Sequence, residues 1–308
     1  MSLVVVGSVA LDSVETPFGK REAALGGSAT YFSTSASFFG PVRLVGVVGE
    51  DFPVEHERFL ASRGVDLLGL ARHKGETFQW KGRYEYDLNT AHTLDTRLNV
   101  FADFRPELPP AWREPDMLFL GNIDPDLQRS VVDQVRRPRL VAADTMNFWI
   151  SGKRQSLLET LKRVDLLFVN DAEARQLAGE SNVVKAARAI LTMGPQALVV
   201  KRGEHGALYF SGNEVFAAVA YPLPSAFDPT GAGDSFAGGF MGYLARTGRQ
   251  DGPTMRKAIV VGTVLASFVV EEFSLDRFRT LTPHEIRGRY AEIRRLTHFD
   301  ELEPDGLA

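Results

Sequence analysis

The sequence contains no cysteine, which excludes disulfide bonds and thiolate metal sites. It contains no apolar run long enough to span a membrane, and its first residues, M-S-L-V-V-V-G, are too short and lack the basic start of a signal peptide. Lysine and arginine number 35 against 39 acidic residues, with a formal net charge of -4. No basic stripe offsets this balance, so we expect a cytoplasmic protein that binds neither membranes nor nucleic acids.

Two nucleotide-binding patterns are also missing. No G-x-G-x-x-G follows the first apolar run, and G-x-x-x-x-G-K-[ST] does not occur. The first absence argues against a dinucleotide-binding oxidoreductase, and the second argues against a Walker-type NTPase.

Short apolar runs typical of buried parallel strands alternate with helical patterns along the 308 residues. Leu3 to Val6, Val42 to Val48 and Met117 to Leu120 are such runs. The alternation predicts an α/β fold with a doubly wound, mainly parallel central sheet flanked by helices. We expect a single domain over residues 1–308, with a frayed tail from Glu301.

The stretch from Phe227 to Leu244 reads F-D-P-T-G-A-G-D-S-F-A-G-G-F-M-G-Y-L, a turn followed by a buried helix. Gly231, Ala232 and Gly233 leave the first backbone N–H groups of that helix uncovered, where the helix dipole favours an anion such as phosphate. Asp234, in the first turn, could reach a hydroxyl beside that phosphate. Together they provide what phosphoryl transfer to an alcohol requires.

A simpler interpretation stays open for these residues alone. Asp228 or Thr230 could cap an ordinary core helix, with glycines that only permit close packing.

The run from Asp228 to Met241 resembles the C-terminal signature of the ribokinase-like (PfkB) carbohydrate and nucleoside kinase family at every restricted position. The resemblance extends unevenly from Val4 to about Leu281. It implies a ribokinase-like fold and an enzyme that uses ATP and Mg²⁺. It also implies that Asp234 is the catalytic base and that Gly231, Ala232 and Gly233 form an anion hole. Many members bind a monovalent cation such as K⁺ near the acid that corresponds to Asp228.

The resemblance implies that residues from the N-terminal part of the chain bind the acceptor, beyond the carboxyl ends of the strands. Asp12 follows the first strand, where an acid of the family grips two hydroxyls, although a turn acid is the alternative. Gly26 and Gly27 lead into a helix that we expect to end at Gly40, and their family counterparts let the backbone approach the acceptor. Tyr31 stands where the family usually has Asn, which leaves room for a flatter or cyclic acceptor.

Further along the chain, Asn147 follows a predicted strand and is a further candidate for contact with acceptor hydroxyls. Asp51 is treated as structural, a cap for the helix predicted from Pro53.

The nucleotide side is predicted from two weaker motifs. Asn170 and Glu173 form N-x-x-E, which alone is typical of a helix cap and which in the family governs Mg²⁺ through waters. Gly203 and Gly206 match the family's x-x-G-x-x-G hairpin along ATP, with a plain tight hairpin as the alternative. Lys201, just before it, could pair with a phosphate.

Within residues 66–100, two runs, Phe78 to Tyr86 and Thr93 to Val100, alternate apolar and polar residues, as in exposed antiparallel strands. With residues 12–24, residues 66–100 are predicted to form a small inserted β lid that covers the acceptor and excludes water. The exposed strand edges would allow a homodimer to form through the lid.

We therefore expect an ATP-dependent kinase acting on a small sugar or cyclitol. A nucleoside kinase of the adenosine or cytidine type is the alternative, and a catalytically silent binding protein of the same fold is the second.

Overall fold

The structure is a computed structural model that describes residues 1–301. Its strands are β1 (Leu3–Val6), β2 (Ala10–Thr16), β3 (Gly19–Gly26), β4 (Val42–Val48), β5 (Val65–Arg72), β6 (Phe78–Tyr84), β7 (Ala91–Arg97), β8 (Met117–Leu120), β9 (Leu140–Asp144), β10 (Leu166–Asn170), β11 (Ala197–Lys201), β12 (Ala207–Ser211) and β13 (Glu214–Ala218). The helices are α1 (Ser28–Ala36), α2 (Val54–Ser62), α3 (Pro125–Val132), α4 (Asn147–Gly152), α5 (Arg154–Leu161), α6 (Asp171–Ala178), α7 (Val183–Leu191), α8 (Ala232–Thr247), α9 (Gly252–Val269), α10 (Asp276–Thr280) and α11 (Pro283–Leu296). Short 3-10 turns span Asn99–Asp103, Pro110–Trp112 and Gly203–His205.

The main sheet has the order β13-β12-β11-β10-β9-β8-β1-β4-β5 over the described residues. Pairing is parallel from β5 across to β11 and antiparallel for β12 and β13. The central strands are buried on both faces, as β1 and β8 show, because helices cover each side. The predicted doubly wound, mainly parallel sheet is confirmed.

Two apolar layers hold the helices against the sheet. One contains Phe32, Phe119, Phe168 and Phe240, and the other lies on the opposite face around Leu118, Leu167 and Leu198. The helices α1, α8 and α9 belong to the first layer, which explains why small residues are frequent in them: a Cβ at Gly238 would lie 2.2 Å from the Phe32 carbonyl oxygen of α1. Close packing of α8 therefore fixes its N-terminus relative to the strand ends.

A second sheet, with the order β3-β2-β6-β7, projects from the main sheet. β2 pairs antiparallel with β3 and parallel with β6, while β6 pairs antiparallel with β7. Every residue of β7 is exposed. The two chain segments predicted for the lid thus meet in one small sheet.

Two boundaries differ from the predictions. β5 pairs parallel with β4 as the edge strand of the main sheet, so residues 66–72 do not belong to the small sheet. Its half-exposed pattern arises because it is an edge strand, open to solvent on one side. The helix after Gly27 ends at Ala36 rather than Gly40.

The prediction that Asp51 caps α2 is wrong. Pro53 occupies the N-cap position without a side-chain bond, and Asp51 Oδ1 instead accepts hydrogen bonds from Thr77 N at 2.7 Å and Thr77 Oγ1 at 2.6 Å. Asp51 therefore ties the start of β6 to the end of β4. The predicted frayed tail lies outside the described residues beyond Glu301.

Candidate active site

The N-terminus of α8 lies at the centre of the site. Gly231 is its N-cap, with φ 73° and ψ 4°, a left-handed conformation that favours glycine. Among residues 1–301, the N–H groups of Gly231 and Gly233 have no hydrogen-bond partner, whereas Ala232 N donates to the Pro229 carbonyl oxygen at 3.2 Å. The prediction that all three N–H groups are available therefore fails for Ala232, because the turn before the helix already uses it.

Asp234 is in the first turn of this helix, half-buried beside the two free N–H groups. Burial, with the charge of Asp144, raises the pKa of Asp234 to about 7, although the Lys201 ammonium lowers it. A carboxyl group of this kind can exchange a proton near neutral pH, as general base catalysis requires.

Asp12 lies on the acceptor side, in β2, only 5% exposed. Its Oδ2 accepts a hydrogen bond from Gly27 N at 3.3 Å, and a Cβ at Gly26 would lie 1.9 Å from the same oxygen. Burial raises the pKa of Asp12 to about 7, and the charges of Asp228 and Asp234 also raise it. The glycine pair thus lets the backbone close around Asp12, and Asp12 and Asp234 belong to one site.

Tyr31 is buried beside the N-terminus of α8. Its side chain is 1% exposed, and the ring lies against Gly231, where a Cβ would approach ring carbons to 2.3 Å. The ring packs beneath the N-terminus of α8 because glycine there offers a flat surface. The Tyr31 ring is therefore buried against the backbone at the N-terminus of α8, and its contact with an acceptor stays a prediction.

A second tyrosine reaches the site from the lid. Thr230 Oγ1 donates a hydrogen bond to Tyr84 Oη at 3.3 Å, which joins the end of β6 to the turn before α8. Burial raises the pKa of Tyr84, and the charges of Asp228, Asp12 and Asp234 contribute. The sequence analysis did not identify this hydrogen bond, because it joins residues 146 apart in the sequence.

On the nucleotide side, Asn170 and Glu173 form a reciprocal capping box at α6. Asn170 Oδ1 accepts from Glu173 N at 2.8 Å, and Glu173 Oε2 accepts from Asn170 N at 2.7 Å. Burial, with the charges of Asp144 and Asp234, raises the pKa of Glu173 to about 7, while Lys201 lowers it. The cap is confirmed, and these charge interactions also place Glu173 within the site.

Lys201 ends β11 and pairs with Asp144, which ends β9, at 2.7 Å. The side chains are 16% and 6% exposed. A Cβ at Gly233 would lie 2.9 Å from Lys201 Nζ, so the ammonium lies beside the anion hole. Asp144 was not among the predicted site residues, although it lies at the end of a buried strand, as several of the predicted site residues do.

The hairpin after β11 is a 3-10 turn from Gly203 to His205 with Gly203 at φ 53° and Gly206 at φ 84°. A Cβ at Gly206 would lie 2.0 Å from the Ala218 carbonyl oxygen, and one at Gly203 would lie 3.0 Å from Asn89 Oδ1. Asn89 belongs to the turn between β6 and β7. The tip of the lid therefore lies next to the hairpin.

Asp228 does not present a free carboxylate. Its Oδ1 accepts from Thr230 N at 2.9 Å, its Oδ2 accepts from Ser274 N at 2.9 Å, and it is 1% exposed. Ser274 itself has φ 56° and donates through Oγ to the Leu25 carbonyl oxygen at 2.6 Å. Each oxygen of Asp228 thus accepts one hydrogen bond from a protein N–H group, and a monovalent cation near Asp228 stays a prediction.

Asn147 has no hydrogen bond to these groups within the described chain. It is exposed at the start of α4 and makes no side-chain hydrogen bond to any residue from 1 to 301. Nearby, Trp149 Nε1 donates to Asn122 Oδ1 at 2.9 Å. Contact of Asn147 with acceptor hydroxyls stays a prediction.

The charges of the central groups fit a divalent cation. Asp144, Glu173 and Asp234 interact with one another and share a single ammonium, that of Lys201. Within the described chain, however, no three His, Asp or Glu side chains lie close enough to hold a metal directly. This combination suits Mg²⁺, which keeps several waters and takes few protein ligands. No helix in residues 1–301 is long and apolar enough to cross a membrane.

Comparison with known families and proteins agrees with this arrangement. Residues 3–279 match the family described as pfkB family carbohydrate kinase. The chain is 30% identical over 250 residues to a cytidine kinase of Thermococcus kodakarensis, which covers 80% of this chain and 89% of that protein. It is 25% identical over 255 residues to a fructoselysine 6-kinase of Escherichia coli, with coverage of 80% and 89%.

Solved structures share the fold. A nucleoside kinase of Burkholderia thailandensis in complex with inosine superposes with a TM-score of 0.77 at 19% identity, covering 95% of this chain and 98% of that one. A ribokinase II from Escherichia coli, described as putative and in complex with ATP and Mg²⁺, gives 0.76 at 18% identity, with coverage of 94% and 99%. The ribokinase-like fold predicted from the sequence is confirmed.

Proposed function

Because the chain belongs to the pfkB family of carbohydrate kinases, we propose that it transfers the γ-phosphoryl group of ATP to a hydroxyl group of a small acceptor, with Asp234 as the base. The observation that carries this proposal is the half-buried Asp234 carboxyl, with a pKa of about 7, beside the unpaired N–H groups of Gly231 and Gly233. The ATP and Mg²⁺ in the related Escherichia coli structure support the choice of donor.

In the proposed mechanism, Asp12 and the backbone around Gly26 and Gly27 hold the acceptor hydroxyls. Asp234 accepts the proton of the attacking hydroxyl group while the hydroxyl oxygen forms a bond to the γ-phosphorus. The bond between the γ-phosphorus and the bridging oxygen of ADP breaks, and ADP leaves. The N–H groups of Gly231 and Gly233 stabilise the charge that develops on the transferred group.

Glu173 and Asn170 would hold Mg²⁺ through waters, and the ion would neutralise the phosphate charges. Lys201 lies beside the anion hole and would contact phosphate. The lid excludes water, which otherwise competes with the acceptor as a nucleophile.

We propose a nucleoside as the first acceptor class to test. Three aromatic rings lie together between the lid and the approach to α8: Phe18 is 6.2 Å from Tyr86 and 5.9 Å from Phe227 between ring centroids. All three are exposed, at 47%, 81% and 38%. Exposed rings can stack on a planar base, and the cytidine kinase of Thermococcus kodakarensis supports this class.

A sugar or cyclitol is the second class. The paired hydroxyls of such an acceptor would suit Asp12, and the fructoselysine 6-kinase of Escherichia coli supports this class.

We also propose a homodimer that forms through the lid. The exposed edge strand β7 supports it, and sedimentation would test it.

The test of the acceptor class is a panel of adenosine, cytidine, ribose, fructose and myo-inositol, measured by thermal shift and by ADP release with Mg–ATP. A nucleoside that raises the unfolding temperature and stimulates ADP release supports the first class, while a sugar that does so supports the second. Binding of ATP and acceptor without ADP release would mean a catalytically silent protein. If no acceptor stimulates ADP release, the proposed activity on these acceptor classes is wrong.

A further inference from the structure

The ion pair between Asp144 and Lys201 spans three strands of the main sheet. Asp144 pairs in register with Phe168 of β10, and Lys201 pairs with Asn170 of the same strand. The Lys201 side chain therefore passes over the end of β10 to reach Asp144 Oδ2 at 2.7 Å.

Asp144 is itself fixed on its other side. Its Oδ1 accepts from Thr145 N at 2.7 Å, and its carbonyl oxygen accepts from Gln128 Nε2 at 2.9 Å. Gln128, 1% exposed, also donates to the Gly121 carbonyl oxygen at 2.9 Å and so joins the ends of β8 and β9. A carboxylate held in this way can hold a flexible lysine in one place.

That place is the first turn of α8. A Cβ at Gly233 would lie 2.9 Å from Lys201 Nζ and 3.6 Å from its Cδ and Cε, so the lysine stem lies along the glycine. The ammonium consequently contacts Asp144 and lies beside Gly233, whose N–H group has no hydrogen-bond partner among residues 1–301.

We propose that Asp144 is a positioning residue that holds the Lys201 ammonium beside Gly233 and, through this pair, sets the pH at which Asp234 accepts a proton. The proposal rests on the proposed function for the role of Asp234. It assigns to Asp144 no contact with the acceptor.

The sign of the effect follows from the charges around Asp234. The Asp144 carboxylate raises the pKa of Asp234, and the Lys201 ammonium lowers it. Other groups that interact with Asp234 from neighbouring elements are Glu173 at α6, Asp12 in β2 and Tyr84 in β6. Removal of the Asp144 charge would leave Lys201 uncompensated and lower the pKa of Asp234, whereas removal of the Lys201 charge would raise it.

The experiment titrates the free protein labelled with ¹³C-carboxyl aspartate, with the Asp234 signal identified by its loss in Asp234→Asn. Asp144→Asn keeps the shape of the side chain and is expected to lower the Asp234 midpoint by about 1 pH unit. Lys201→Met is expected to raise it by about as much. The acidic limb of kcat/KM should move in the same directions, which a purely structural role would not produce.

Asp124→Asn is the matched control, because Asp124 also accepts from a lysine, Lys153, at 2.7 Å and lies outside the site. It should leave the Asp234 midpoint unchanged. Lys201→Arg keeps the charge, so its Asp234 midpoint should stay near the wild-type value. Comparison of Lys201→Arg with Lys201→Met therefore tests the proposal even if Asp144→Asn does not fold.

Unchanged midpoints in Asp144→Asn and Lys201→Met, or shifts of the same sign, would overturn the proposal. Because the titration needs no turnover, an inactive wild-type protein would count against the proposed function alone.

Discussion

Burial determines the chemistry of individual residues in this site. Asp12 and Asp234 are both acids whose pKa rises to about 7, chiefly because the folded chain removes them from water. Their roles differ through their partners. Asp12 accepts a hydrogen bond from Gly27 N, whereas Asp234 lies beside two N–H groups that have no partner in the described part of the chain.

Asp234→Asn should abolish phosphoryl transfer, because an amide cannot accept the proton of the attacking hydroxyl. We expect kcat to fall by about 10²–10⁴-fold, while ADP binding, measured by calorimetry, stays nearly intact. A folded variant that no longer binds ADP would show that Asp234 is structural.

Local sequence predicts residues whose role depends on nearby backbone, and it misses roles that depend on distant partners. Asp234 and Gly231 were found because a helix start fixes both. Asp144 was missed because its lysine partner lies 57 residues away. The contact of the Tyr31 ring with Gly231 was missed because only the packing of α1 against α8 creates it.

At the scale of elements, α8 has a left-handed glycine at each end. Gly231 has φ 73° and Gly248 has φ 70°. Their surroundings differ, because a Cβ at Gly231 would strike the Tyr31 ring at 2.3 Å whereas one at Gly248 would meet only Met1 Cε at 3.6 Å. Substitutions at the two positions therefore distinguish the effect of backbone strain from the effect of steric conflict with Tyr31.

Gly231→Ala should lose both stability and activity, since it adds strain and displaces the Tyr31 ring from the anion hole. Gly248→Ala should cost only about 1–2 kcal/mol of unfolding free energy and keep kcat. Denaturant unfolding and ADP-release assays measure both quantities. Equal losses in the two variants would mean that contact with Tyr31 is unimportant.

The lid is joined to α8 through Tyr84. Tyr84→Phe removes the hydrogen bond from Thr230 Oγ1 and should raise KM for the acceptor about 2- to 10-fold, as expected for one neutral hydrogen bond. Tyr86→Phe is the control, because Tyr86 is 81% exposed and has no hydrogen bond among residues 1–301. A larger effect in Tyr86→Phe would contradict the role of Tyr84 and point to the Tyr86 hydroxyl group.

The loop between α9 and α10 supplies Ser274 N to Asp228, so the charge of that carboxylate is already stabilised by protein groups. We expect initial rates in potassium, sodium and choline buffers of equal ionic strength to agree within about twofold, since both Asp228 oxygens already accept protein N–H groups that stabilise the charge. Strong activation by potassium, or a rise in unfolding temperature with potassium alone, would contradict this.

At the scale of the whole molecule, the order of elements was predictable and the assignment of some edges was not. Continuous apolar runs such as β1 and β4 identify central strands, since burial on both faces demands them. β5 was assigned to the lid because an edge strand is half-exposed, like a lid strand. Parallel pairing of β2 with β6 joins distant segments, which no local pattern records.

Several site carboxyls affect the stability of the entire fold. The pKa of Asp234 in the folded chain, about 7, exceeds the ordinary value of 3.8, so the folded state binds its proton more tightly than the unfolded state. The stability that this group contributes is therefore present below about pH 4 and is lost as pH rises to about 7.

Asp234→Asn should unfold at a higher temperature than the wild type at pH 8, with a smaller difference at pH 5. Asp251→Asn should show the opposite sign, because hydrogen bonds from Thr254 hold the pKa of Asp251 at about 2. Thermal unfolding across this pH range measures both. A difference for Asp234→Asn that does not grow with pH would contradict the assigned ionisation.

The position of Asn89 beside Gly203 has a consequence for the sequence of events during a turnover. In the proposed function the lid would cover the acceptor and the hairpin would border ATP, so this contact would couple the release of the two ligands. We therefore expect an acceptor that is bound together with ATP to be phosphorylated before it dissociates. Pulse–chase trapping with labelled acceptor would measure this commitment to catalysis.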